Sequence, residues 1–158
     1  MLRATCLAIT IAALASCTRE ANTAFAKGEV AGNLTSEGGK LGDWVFNTGT
    51  CYSGQREQYF GVIGYGPEKD GTAVKLIKDP VGGWTAVVNI ASTCATQPER
   101  SNCRGLPLKQ DDCDLFEANV QRTNTTVNDI VKLNGTLHID CKIGDGTLKG
   151  KISFSGCH

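Results

Sequence analysis

The alternation of apolar and polar residues predicts an all-β protein: an antiparallel two-layer β-sandwich or barrel of about eight or nine short strands, stapled by three disulfides. Three observations carry that prediction. Period-two patterning recurs from residue 30 to the C-terminus, and glycine-rich turn signals separate the runs. Helical periodicity is nearly missing beyond residue 27. The chain also holds eight cysteines in 158 residues, six of which would remain in a matured exported chain, an even number that reads as a disulfide framework.

Taken in order, Val30, Gly32 and Leu34 alternate with Ala31, Asn33 and Thr35, which predicts a half-buried strand that Ser36-Glu37-Gly38-Gly39-Lys40 breaks. Trp44 and Phe46 share a face of the next strand before Asn47-Thr48-Gly49-Thr50 turns the chain into Cys51. Residues 57–65 hold Tyr59, Phe60, Val62, Ile63 and Tyr65, apolar on both faces, so this strand belongs inside the sheet. Residues 72–78 form another, stopped by Asp79-Pro80 and Gly82-Gly83. In residues 84–90, Trp84, Ala86, Val88 and Ile90 lie on one side and Thr85, Val87 and Asn89 on the other. Residues 91–114 have no sustained periodicity, two prolines and three cysteines, Cys94, Cys103 and Cys113. Connections longer than about 12–15 residues are usually functional or cross-linked. Because three is odd, at least one bond must leave this loop.

Phe116, Ala118 and Val120 resume the alternation. Val131, Leu133, Gly135, Leu137, Ile139 and Cys141 then mark one face of a strand, and Leu148, Gly150, Ile152, Phe154 and Gly156 mark the next. Asp145-Gly146 between them is a type I′ signal. A two-residue loop there would set Ile139 opposite Ile152, Leu137 opposite Phe154, Asp140 opposite Lys151 and His138 opposite Ser153.

The N-terminus addresses the chain. Arg3 precedes an apolar run over residues 7–14 that is too short to cross a bilayer and has the form of a secretory signal peptide. Leu14-Ala15-Ser16-Cys17 closes it, and these four residues with the run before them resemble the lipobox of bacterial lipoprotein precursors. The resemblance implies a signal peptide over residues 1–16, alkylation of the Cys17 thiol by a diacylglyceryl group and acylation, for example by palmitate, of the amine freed by cleavage. Two or three acyl chains, at about 0.8 kcal/mol per buried CH₂, hold a protein on a membrane where one does not. Thr18 is not the Asp that retains similar lipoproteins in the inner membrane, so outer membrane or cell surface is expected. Ala24-Phe25-Ala26 offers the alternative of cleavage after Ala26 and secretion of a soluble protein, although charged Arg19 and Glu20 separate it from the apolar run. Residues 17–27 read as a polar, lipidated tether and residues 28–158 as a single β-domain.

Cys6 leaves with the signal and Cys17 with the lipid, so six of the eight cysteines remain: Cys51, Cys94, Cys103, Cys113, Cys141 and Cys157. An even number in an exported chain reads as three disulfides with connectivity undetermined. No C-x-x-C pair or His-x-x-x-His spacing is present, so neither metal nor cofactor is expected. A formal net charge of +0 argues against nucleic acid as a partner.

Catalytic signatures are sparse. His138 and His158 are the two histidines, and His138 lies on an outward face near Asp140, which should prefer Lys151. No Gly-x-Ser-x-Gly elbow occurs. Asp111, Asp112 and Asp114 lack the spacing of a calcium loop and read as solvated. These observations predict a non-catalytic, lipid-anchored envelope protein with a binding or structural role, its partners being the membrane and a protein docked on the 91–114 loop. Inhibition of an exported hydrolase through that loop is its concrete form. The alternative is a secreted or lipid-anchored enzyme using His138 with a carboxylate.

Overall fold

In the computed structural model the described residues are 27–47, 49–66, 72–89 and 105–158. The segment expected to be a signal peptide, the expected lipidation site Cys17, the expected tether up to residue 26, and Cys94 and Cys103 lie outside them. The elements are β1 (Gly28–Glu37), β2 (Trp44–Phe46), β3 (Gly49–Ser53), a 3-10 turn (Gly54–Glu57), β4 (Gly61–Tyr65), β5 (Ala73–Lys78), β6 (Trp84–Asn89), β7 (Leu106–Leu108), a second 3-10 turn (Gln110–Asp112), β8 (Cys113–Val127), β9 (Ile130–Ile143) and β10 (Gly146–Cys157).

The fold is all-β and every pairing is antiparallel, as the alternation requires. Among the described residues the strands form one unclosed sheet, neither two separate sheets nor a closed barrel. One ten-stranded sheet runs β7-β6-β5-β4-β3-β1-β10-β9-β8, with β2 paired to β1 beside that path. The reason lies in β1. Its residues 28–30 pair with β3 and its residues 34–36 with β2, so the strand serves two neighbours along one edge while β10 runs along the other. Between the two stretches, Gly32 takes φ 93, and a Cβ there would stand 2.3 Å from the Lys151 carbonyl oxygen. Such glycine kinks let one sheet coil strongly instead of splitting in two.

Inward positions follow the predicted parity up to Phe154; beyond it a bulge at Gly156 (φ 63) turns Cys157 inward in place of the expected Gly156. Val30, Leu34, Phe46, Val62, Val74, Leu76, Val88, Leu137, Ile139, Leu148, Ile152 and Phe154 join one buried cluster. β4 lies inside the sheet with Gly61, Val62, Ile63 and Gly64 all buried, as its two-sided apolarity predicts.

Two strands appear where turns or loop were expected. β3 begins at Gly49, inside the presumed turn, and β7 occupies Leu106-Pro107-Leu108 within the supposed loop. Proline is tolerated in β7 because it is the sheet's terminal strand. Residues 57–60, expected in a strand, instead close the first 3-10 turn and lead into β4, with Gln58 at φ 65.

The β9–β10 register also differs from expectation. Ile143 pairs with Gly146, so the turn residues are Gly144 and Asp145, not Asp145 and Gly146. Gly144 takes φ 66 and Asp145 stays out of the positive-φ region, which is the type II′ pattern with glycine first. Ile152 therefore faces Leu137, Phe154 faces Gly135, Lys149 faces Asp140 and Lys151 faces His138. A shift of two preserves the inward face from Leu148 to Phe154. Gly146 is glycine because of close approach: a Cβ there would lie 2.5 Å from the carbonyl carbon and oxygen of Gly38. The I′ geometry occurs instead at Asn128 and Asp129, with φ 48 and 62, between β8 and β9.

Two disulfides, not three, are present among the described residues. Cys51–Cys157 joins β3 to β10 and is fully buried, while Cys113–Cys141 joins neighbouring β8 and β9. Cys113 thus carries its bond out of the 91–114 segment, as the odd count required.

Candidate functional site

Continuing the inward parity of β8 one step past Phe116, Ala118 and Val120 lands on Arg122, which pairs with inward Leu133. A cation in an apolar register is unexpected in a core strand. Here the sheet runs out beneath it: Arg122 is exposed at the rim of a groove of about 340 Å³ lined by Ser53, Gln55, Gln58, Tyr59, Phe60, Val131 and Leu133. Its guanidinium carbon sits 5.4 Å from the centre of the Phe60 ring, within cation–π range.

The groove is formed where the β8–β9 hairpin meets the first 3-10 turn. Gln55 ties the two together, donating from Nε2 to the Asp129 carbonyl (3.3 Å) and accepting at Oε1 from the Val131 amide (3.4 Å). Ser53 Oγ accepts from the Gln55 amide at 3.3 Å and caps the turn. Gly54 gives room to the Tyr59 ring, since a Cβ there would stand 2.2 Å from Cε2 of that ring. The wall is thus pinned by local hydrogen bonds and a close glycine contact.

An aromatic pair continues behind the groove. Phe60 and Trp84 lie 6.0 Å apart, and Lys78 Nζ stands 5.0 Å from the Trp84 ring centre. Two cations therefore bracket two rings. Among the described residues neither Arg122 nor Lys78 forms a salt bridge, and the acid Glu57 is engaged with Lys75 at 2.8 Å. The Tyr59 hydroxyl is buried and has no hydrogen-bond partner among the described residues. Burial, then Glu57, then Tyr65 raise its pKa well above the ordinary phenol value.

The residues singled out in the sequence lie elsewhere. His138 Nδ1 stands 3.4 Å from Glu117 Oε2 on the outer face, with side chains 40% and 71% exposed. Asp140, the expected neighbour, stands opposite Lys149 instead. The pair does not line the Arg122 groove or the second depression, which is built from Asn119, Gln121, Asn134, Thr136, Ser153 and Ser155 with Gly135 and Phe154. The acidic cluster is divided between structural tasks. Asp112 Oδ2 accepts from the Lys109 amide at 2.8 Å, and Asp114 pairs with Lys142 at 2.8 Å, holding that ammonium above its usual range. Of the 91–114 loop, residues 105–114 are described, and they are held by β7 pairing to β6 and by Cys113–Cys141.

Arg122 was legible in the sequence had the alternation been extended by one step. The groove's other wall was not, because no pattern in residues 53–60 announces a 3-10 turn. Compared with known proteins, the chain matches no family model, no curated protein and no solved structure.

Proposed function

We propose that this protein is a non-catalytic binding domain held at the cell envelope by lipid on Cys17, with the groove under Arg122 as its binding surface. The observation that carries the reading is Arg122 itself, a guanidinium placed on an inward register over Phe60 and left without a carboxylate among the described residues. Proteins break a local rule mainly at functional sites. The groove stands on paired strands and a capped turn, which suits a preformed site. The remaining cysteines, Cys94 and Cys103, complete the third disulfide in this reading.

A photo-crosslinking residue at Gln58, in cells exporting the full chain, tests the binding role. A specific adduct lost on Arg122→Glu supports it, and no adduct at that position overturns it. Mass spectrometry of the mature chain tests the anchor: acylated Cys17 is expected, with release into the soluble fraction on Cys17→Ala. A mature N-terminus at Lys27 would overturn lipidation.

A second reading keeps the 91–114 segment as a loop that inhibits an exported hydrolase. It is favoured by the fastening of residues 105–114 to two different strands, β6 through β7 and β9 through Cys113–Cys141, which fixes the described end of the segment. Replacing residues 91–104 with a Gly-Ser linker should abolish inhibition of a sensitive protease, and full retention would dismiss it.

A further inference from the structure

Resting on the reading of the groove as a binding surface, we propose that its ligand is an amphipathic carboxylate, a small molecule with one carboxylate head and an apolar body. The head sits on Arg122 and the body on Phe60, Val131 and Leu133.

Stacking occupies a guanidinium's face and leaves the N–H groups around its edge for an acceptor in the same plane. Among the described residues no side chain or carbonyl accepts a hydrogen bond from Arg122, and the lining residues include no carboxylate. The acid whose charge reaches the lining residue Tyr59, Glu57, is paired with Lys75 at 2.8 Å. The groove therefore offers one charged donor and no carboxylate to neutralise it, with only neutral polar groups (Ser53, Gln58, Tyr59) beside it, which favours an anion.

The head is a carboxylate because a single guanidinium lines the groove, and its fork matches one planar, singly charged group. A phosphate dianion calls for several donors. The amide of Gln55 is consumed at both ends by Asp129 and Val131, so it is scaffold. The body is apolar because Phe60, Val131 and Leu133 supply the floor beside the guanidinium. A volume of about 340 Å³ sits at the small end of small-molecule sites, which start near about 300 Å³.

Three probes of one size separate the possibilities: 4-phenylbutyrate, its neutral amide 4-phenylbutanamide, and phenyl phosphate. Each is titrated into the full exported chain by calorimetry and by amide and Arg Nε–H NMR shifts. The acid is expected to bind with shifts at Gln58, Phe60, Leu133 and the Arg122 Nε–H. Loss of a charge-assisted pair should weaken binding roughly tenfold, so the amide should bind about that much more weakly. Arg122→Gln should impose the same loss on the acid and none on the amide. Arg122→Lys, which keeps the charge but loses the fork, should recover only part. Arg122 is exposed, so these variants should unfold at the wild-type temperature.

Equal binding of acid and amide, acid binding unchanged in Arg122→Gln, or shifts confined to another surface would each overturn the proposal. Tighter binding of phenyl phosphate would transfer the site to phosphates and overturn the carboxylate assignment. If no probe binds while the Gln58 crosslink still captures an Arg122-dependent partner, the carboxylate ligand falls and the binding role stands.

Discussion

The two arms of the sheet are held by different means. In one, β8, β9 and β10 run 15, 14 and 12 residues and are joined by two-residue turns. In the other, β3 to β7 are three to six residues long. The long arm is a ladder of sequence neighbours, stabilised by cross-strand pairs that close small loops. The short arm depends on attachments: β1 beside β3, the Cys51–Cys157 bond across to β10, and Gln55 reaching the β8–β9 hairpin. The groove lies on the seam between the arms. Its two walls belong to segments about 70 residues apart, Gln55 being 74 positions from Asp129.

The largest test of this contrast is to cut the covalent link between the arms. The Cys51–Cys157 pair spans 106 residues, and the chain-entropy relation gives about 5 kcal/mol for a loop of that length. A double alanine replacement should lower stability by that order in denaturant unfolding. Hydrogen exchange should accelerate in β3 to β6 before β8 to β10, and uniform acceleration would deny that the arms differ. Removing Cys113–Cys141, with a separation of 28, should cost about 3.5 kcal/mol by the same relation. Its effect should stay within the long arm.

Close glycine contacts come next. Gly146→Ala forces a Cβ against the Gly38 backbone and should cost about 1–3 kcal/mol by thermal unfolding. Gly144→Ala meets open space and bears only the strain of positive φ, so it should cost about 1 kcal/mol.

Tyr59→Phe probes the seam. The variant removes a buried hydroxyl without a described partner, so it should leave neutral-pH stability within about 1 kcal/mol of wild type, or raise it. The folded-state pKa is raised above the unfolded value. The contribution to stability is therefore complete below the unfolded value near 10 and declines as pH rises above it. Wild type should lose stability more steeply in alkali than Tyr59→Phe. Parallel alkaline curves for the two proteins would show that the phenol is not desolvated.

The smallest effect belongs to the outer face. Glu117→Gln breaks the exposed contact to His138 and should shift stability by less than about 0.5 kcal/mol.

The long arm was readable because its information is local. Period-two patterning from Leu133 to Cys141 and from Leu148 to Phe154 specifies which side chains face inward. A register displaced by two leaves that assignment intact, so the pattern specifies the faces and not the partners. The short arm carries a weaker local signal. β7 is three residues around a proline, and β3 starts on a glycine that resembles a turn, so neither presents enough alternation to stand out.

By itself, then, the amino-acid order determined an all-antiparallel β protein, the inward face of each long strand and the exit of a cysteine bond from the 91–114 segment. Each follows from neighbouring residues or from counting. Tertiary structure alone decided that β1 would lie between β3 and β10, that Cys51 would meet Cys157, and that Arg122 would stand over Phe60. Those outcomes depend on how tightly the sheet coils at Gly32, which is set by contacts between residues more than one hundred positions apart, such as Gly32 with Lys151.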